Sequence, residues 1–179
     1  MRSTRFLSTV LLAFLLAAAV GPAAEAQPQL PISIETPVPG VTAYDDAIPT
    51  PQEVIGHEIG TKHTAPHQVV AYFEAVAEAS DRVVLESHGE TYGERPLIHA
   101  FVTSSENHNR IDEIRAGNRQ LSEAPDEVTD AMLEDRPAVA YMGYSIHGDE
   151  ASGTEASVLL LYHLAAGSGP EVEAALENI

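Results

Sequence analysis

Pro137-Ala138-Val139-Ala140-Tyr141-Met142-Gly143-Tyr144 leads into Ser145-Ile146-His147-Gly148-Asp149-Glu150, and that into Ala151-Ser152-Gly153-Thr154-Glu155. The first eight residues are a short apolar run of the kind a buried strand needs. The next six are polar, contain a glycine and read as a turn. From Ser152 the pattern is helical: Ser152 with Glu155 three residues on fits a capping box, and Val158 to Ala166 is apolar nearly all round, as in a buried helix. Gly167 stands where a left-handed C-cap is expected. A strand feeding a buried helix through a tight loop is an α/β unit, and such units place sites at the strand's carboxyl end. His147 and Glu150 occupy that end.

An imidazole nitrogen and a carboxylate three residues apart on a tight turn can converge on one cation at about 2.0–2.2 Å. Eight His and nineteen Glu in 179 residues give roughly 0.85 such pairs by chance, so spacing alone decides nothing and position carries the argument. The competing reading is a surface loop whose polar residues cap a helix.

The surrounding residues add a resemblance. The segment is similar to the first metal-binding motif, H-x-x-E after a core strand, of the M14 zinc carboxypeptidases. Gly89-Glu90-Thr91-Tyr92-Gly93-Glu94-Arg95-Pro96-Leu97 resembles that family's upstream Gly-x-Ser-x-x-Gly-Arg-Pro-Leu hairpin, with Thr91 for Ser and Glu94 inserted before Arg95. Gly148 to Ala156 resembles the wording of large bacterial members. The resemblance covers roughly Thr50 to Ile179.

It implies an α/β fold, a mixed, mostly parallel sheet flanked by helices, incomplete in this chain. It also implies one zinc ion per domain with His147 and Glu150 as ligands, and peptide or protein C-termini as substrate. The second His ligand, the groups that hold the substrate carboxylate and the Glu general base all follow the first motif in that family. No catalytic residue is therefore identified here, the rest is expected downstream of residue 179, and the chain alone is expected to be inactive. Two alternatives stay open: a zinc deacylase of the aspartoacylase and succinylglutamate desuccinylase type, and a non-catalytic M14-like binding module. Export and the Gly-Glu-Arg-Pro hairpin speak against the deacylase.

Composition narrows the partners. Nine Lys+Arg against 27 Asp+Glu give a net charge of −18, which argues against nucleic acid and anionic membrane surfaces. The absence of Cys excludes disulfides and thiolate ligands. Residues 1–26 read as a signal peptide: Arg2 and Arg5 precede an apolar run from Phe6 to Val20, and Ala24-Glu25-Ala26 offers small residues before Gln27. That run is short of the roughly 20 residues of a membrane span. The mature protein is expected to be secreted or periplasmic, with no stable membrane insertion.

Residues 27–49 form a Pro-rich extended lead-in, and residues 50–179 the amino-terminal part of a carboxypeptidase-like domain. Thr50-Pro51-Gln52-Glu53 is a capping box with Pro at the first helical position, opening a helix that should end near Gly60. A longer helix follows Thr64-Ala65-Pro66, with Val69, Val70, Tyr72, Phe73, Val76 and Ala77 at helical spacing. Arg82 to Glu86 and Leu97 to Val102 read as two strands. A helical segment carries Ile111 and Ile114, Glu127 to Leu133 adds another turn, and Pro170 opens a last short helix before Asn178-Ile179, which reads as the start of a strand. His163 lies thirteen residues past Glu150, roughly 20 Å away along a mostly helical path, so it is not a third ligand. His57, His63, His67, His88, His99 and His108 read as surface or satisfied core histidines. Asp149 reads as a carboxylate favoured by a helix N-terminus.

Cleavage before Gln27 is the expected processing event. Intact-mass analysis of exported protein measures it, and recovery of chains still carrying Met1 to Ala26 would contradict it.

Overall fold

Tyr72 and Val76, one turn apart on the segment that Pro66 opens, are completely buried. The computed structural model that shows this describes Val38, residues 40–134 and residues 136–179. The expected signal sequence, and the lead-in to residue 37, lie outside the described residues.

In chain order the elements are β1 (Ala43–Tyr44), α1 (Pro51–Ile55), α2 (Pro66–Ala79), β2 (Val83–Glu90), β3 (Pro96–Val102), α3 (Ser105–Asn109), α4 (Ile111–Glu123), a 3₁₀ turn (Pro125–Glu127), α5 (Asp130–Glu134), α6 (Ala151–Ala166), β4 (Gly167–Ser168) and α7 (Pro170–Asn178). The expected capping box forms at α1, where the Thr50 amide donates to Glu53 Oε2 at 2.8 Å and the Glu53 amide to Thr50 Oγ1 at 3.4 Å. The helix ends earlier than Gly60, at Gly56, whose φ of 81° is the left-handed cap.

One core holds these pieces together. Tyr72 and Val76 of α2 meet Val158, Leu161, Tyr162, Ala165 and Ala166 of α6, with Val83 of β2 and Ile48, Ile55 and Ile59 from the preceding chain. Each large side chain so buried contributes about 1.5–3 kcal/mol of transfer free energy. Arg82 then ties the far end of α6: its guanidinium donates to the Gly167 carbonyl at 2.6 Å and to Glu173 of α7 at 2.8 Å. A cation there satisfies carbonyls that a helix end leaves without partners. The end of α7 is closed likewise, by Asn107 Nδ2 on the Glu177 carbonyl at 3.0 Å and by the Thr103 hydroxyl on the Leu176 carbonyl at 2.9 Å. No helix among the described residues is long and apolar enough to cross a membrane.

The sheet expectation is corrected. The described strands make two two-stranded antiparallel sheets, β1 with β4 and β2 with β3, and no parallel pair. Residues 137–144 are not a strand, and Val139 is 73 % and Tyr141 92 % exposed. A strand needs a ladder partner as well as apolar side chains, and the backbone of this segment donates from the Ala138 amide to the Asn178 carbonyl of a helix end, at 2.7 Å. Asn178 itself ends α7 rather than opening a strand. Gly167 is extended, at φ −69° and ψ 145°, and begins β4. It is needed because a Cβ would collide with the His163 carbonyl.

The hairpin tip explains the inserted residue of the sequence motif. The Glu94 amide donates to the Thr91 carbonyl at 2.9 Å, and Glu94 then takes φ 56°. That is a type I turn closed by a left-handed residue, the three-residue hairpin loop in which glycine is at home. Glu94→Gly is expected to raise stability by about 0.5 kcal/mol, relief of strain outweighing the extra freedom of the unfolded chain. Urea denaturation measures it; a loss of stability would contradict this reading of the loop.

Candidate metal centre

The start of α6 is fixed from outside the helix. Glu155 was expected to reach back within its own first turn. Instead its carboxylate accepts the Thr64 amide at 2.7 Å and the Thr64 hydroxyl at 2.9 Å, across 91 residues of chain. Thr64 is buried, so its amide and hydroxyl need those partners. The helix accordingly starts at Ala151, with Glu150 rather than Ser152 as its N-cap, and the Glu150 side chain makes no cap hydrogen bond. Its carboxylate is not committed to the helix amides.

Immediately before it, the Glu150 amide donates to the His147 carbonyl at 3.0 Å. This is a one-turn reversal, which brings residues i and i+3 within about 7 Å at Cα. Both side chains are exposed, so the pair is open to an ion and to a substrate. The backbone entering the turn is constrained: Ser145 has φ 54°, a left-handed conformation that costs a non-glycine residue of order 1–3 kcal/mol. A Cβ on Gly153 would stand 2.9 Å from the Ser145 amide nitrogen, so only glycine lets helix and turn approach this closely.

The helix N-terminus carries a partial positive charge that disfavours a cation. Asp149 and Glu150 stand against it with two carboxylates just before the first turn. The donor set, one imidazole and one carboxylate on a tight turn, suits a borderline divalent ion. Among the described residues no group of three or more His, Asp or Glu is arranged to hold a metal.

The other histidines are placed elsewhere. His163 Nδ1 is hydrogen-bonded with the Tyr44 hydroxyl at 2.6 Å, and burial pushes the His163 pKa down. His108 Nε2 donates to the Arg82 carbonyl at 3.0 Å. His57 is buried with Nε2 3.3 Å from the Thr64 hydroxyl, and His63 and His67 are exposed. His88 and His99 face each other across the hairpin, Nδ1 to Nδ1, at 3.0 Å. That pairing went unread in the sequence, although Glu86, His88 and His99 sit on strands whose alternation could have suggested a shared face.

With this geometry in view, the comparison with family models is direct: the zinc carboxypeptidase model, peptidase M14, matches residues 69–179, and the chain belongs to that family. At family level it is a metallocarboxypeptidase-like hydrolase chain. Neither the curated proteins nor the solved structures supply a match.

Glu155→Ala is expected to lower unfolding free energy by about 1–3 kcal/mol, because it leaves the buried Thr64 amide without a partner and the Thr64 hydroxyl with His57 alone. Chemical denaturation measures the loss, and wild-type stability would mean the tether does not fix the helix start.

Proposed function

We propose that this chain provides the first part of the zinc site of an exported metallocarboxypeptidase, with His147 and Glu150 as ligands. What carries the reading is the turn itself: His147 and Glu150 joined by one backbone hydrogen bond, at the start of a buried helix, inside the residues that the zinc carboxypeptidase model matches. When bound, zinc supplies Lewis-acid polarisation of a scissile carbonyl and a more acidic water. The chain's own part is orientation. His147 offers a ring nitrogen and Glu150 a carboxylate, both carried by a backbone that Ser145, Gly153 and the Glu155–Thr64 tether constrain. Asp149 offsets the helix end and is assigned no proton transfer.

A catalytic zinc takes three protein ligands and a water. The third ligand, the general base and the groups that recognise a peptide's terminal carboxylate are proposed to come from outside the described residues. The substrates are peptides or proteins with free C-termini, met after export.

Zinc titration by calorimetry tests the ligand assignment, with His88 and His99 replaced by Ala so that the hairpin does not contribute. Two ligands should give a Kd weaker than about 1 μM, less than about 8 kcal/mol of binding free energy. His147→Ala or Glu150→Gln should weaken it at least tenfold further. Sub-micromolar affinity, or binding that neither variant changes, would overturn the assignment. Blocked dipeptides with free and amidated C-termini test the reaction class in protein that contains the remaining ligand and base. Hydrolysis of the free acid alone is expected, and equal hydrolysis of both would contradict it.

A further inference from the structure

The second feature with metal-binding chemistry lies on the β2–β3 hairpin, on the strand face opposite the core residues Ala100 and Val102. Glu86 stands directly across from His99 in the ladder, and the register slips between Ser87 and Gly89, leaving His88 as the extra residue of a β-bulge. Gly89 has φ 134°, a conformation glycine allows and side chains resist. Bulges re-aim side chains, and this one brings His88 Nδ1 to 3.0 Å from His99 Nδ1.

The neighbours orient the pair. Glu86 Oε2 lies 3.5 Å from His99 Nε2, while Arg115 donates to Glu86 Oε1 at 2.8 Å. That contact leaves Glu86 Oε2 turned toward the far nitrogen of His99. In the tautomer with the His99 proton on Nε2, toward Glu86, His99 Nδ1 keeps a lone pair and His88 Nδ1–H is the donor to it. A carboxylate fixing the far nitrogen of an imidazole is the outer-shell arrangement found behind metal-binding histidines. The His99 ring is further held edge-on against Phe101, centroids 4.9 Å apart, and Arg115 lies 5.0 Å over the same Phe101 ring.

We infer that His88 and His99 form a chelating site for a tetragonal divalent ion, Cu(II) in particular, separate from the His147–Glu150 turn. Two nitrogens 3.0 Å apart, each about 2.05 Å from one ion, subtend an angle of about 94°, close to the 90° of neighbouring positions in square-planar or tetragonal coordination. Tetrahedral zinc would want them about 3.4 Å apart. Copper(II) also binds nitrogen ligands most tightly of the first-row divalent ions. On binding, the proton between the rings moves through solvent to His88 Nε2, and both Nδ1 lone pairs face the metal. Water fills the remaining positions. The site stands on the hairpin alone and does not depend on the carboxypeptidase reading.

Titration of the full chain with Cu(II) in a weakly coordinating buffer, followed by electron paramagnetic resonance, tests it. One copper per chain is expected, with hyperfine structure from two equatorial nitrogens. His88→Ala and His99→Ala should each lower the affinity at least tenfold, and Glu86→Gln by about ten- to a hundredfold. His147→Ala should leave it unchanged. Both rings lie outside the buried core, and circular dichroism on each variant establishes that the fold is kept. Wild-type copper affinity in His88→Ala and His99→Ala, loss only in His147→Ala, or a spectrum without two nitrogens would each overturn the proposal.

Discussion

Burial of α6 between α2 and the β2–β3 hairpin is the constraint on which the candidate centre depends. Val158, Leu161, Tyr162, Ala165 and Ala166 are withdrawn from water on one helix, and that helix cannot slide or rotate without exposing them. Its two ends are then fixed by polar contacts from distant chain, Glu155 to Thr64 at the start and Arg82 to Gly167 at the finish. A turn attached to such a helix inherits its position. The exposed His147 and Glu150 are therefore held by groups that touch neither of them.

The division of labour is physical. Apolar area supplies most of the stability, since each large buried side chain contributes about 1.5–3 kcal/mol. The exposed ion pairs contribute little: Arg115 with Glu86, each side chain more than two-fifths exposed, belongs to a class worth about 0–1 kcal/mol. Its value lies in orientation, because it fixes which oxygen of Glu86 faces His99. The Glu155–Thr64 contact differs because Thr64 is buried, and a buried donor without a partner costs more than a surface pair gains.

Local signals in the sequence were legible where the chemistry is local. The Thr50–Glu53 box, Pro66 opening α2, the periodic Tyr72 and Val76 and the hairpin pattern all formed as read, because each depends on residues a few positions apart. The H-x-x-E turn before a buried helix was legible for the same reason. The failures were matters of partnership. Ser152-Gly153-Thr154-Glu155 has the letters of a capping box, yet Thr64, 91 residues away, takes the carboxylate. Pro137 to Tyr144 has the letters of a buried strand, yet composition does not supply a ladder partner. Gly167 was read for left-handed freedom and is needed instead for close approach to the His163 carbonyl. The alternation of the two strands hints at a shared face for His88 and His99, but the one-residue slip in register that brings their rings together is not visible in the sequence.

The claim that His147 is a zinc ligand can be read at the atom concerned. Nitrogen-15 spectra of the histidine side chains, recorded during zinc titration of protein lacking His88 and His99, report which ring nitrogen takes the ion. A His147 ring nitrogen is expected to shift first and saturate at one equivalent, while His57, His108 and His163 stay unchanged. A His147 ring that keeps its metal-free shifts as zinc binds elsewhere would contradict it.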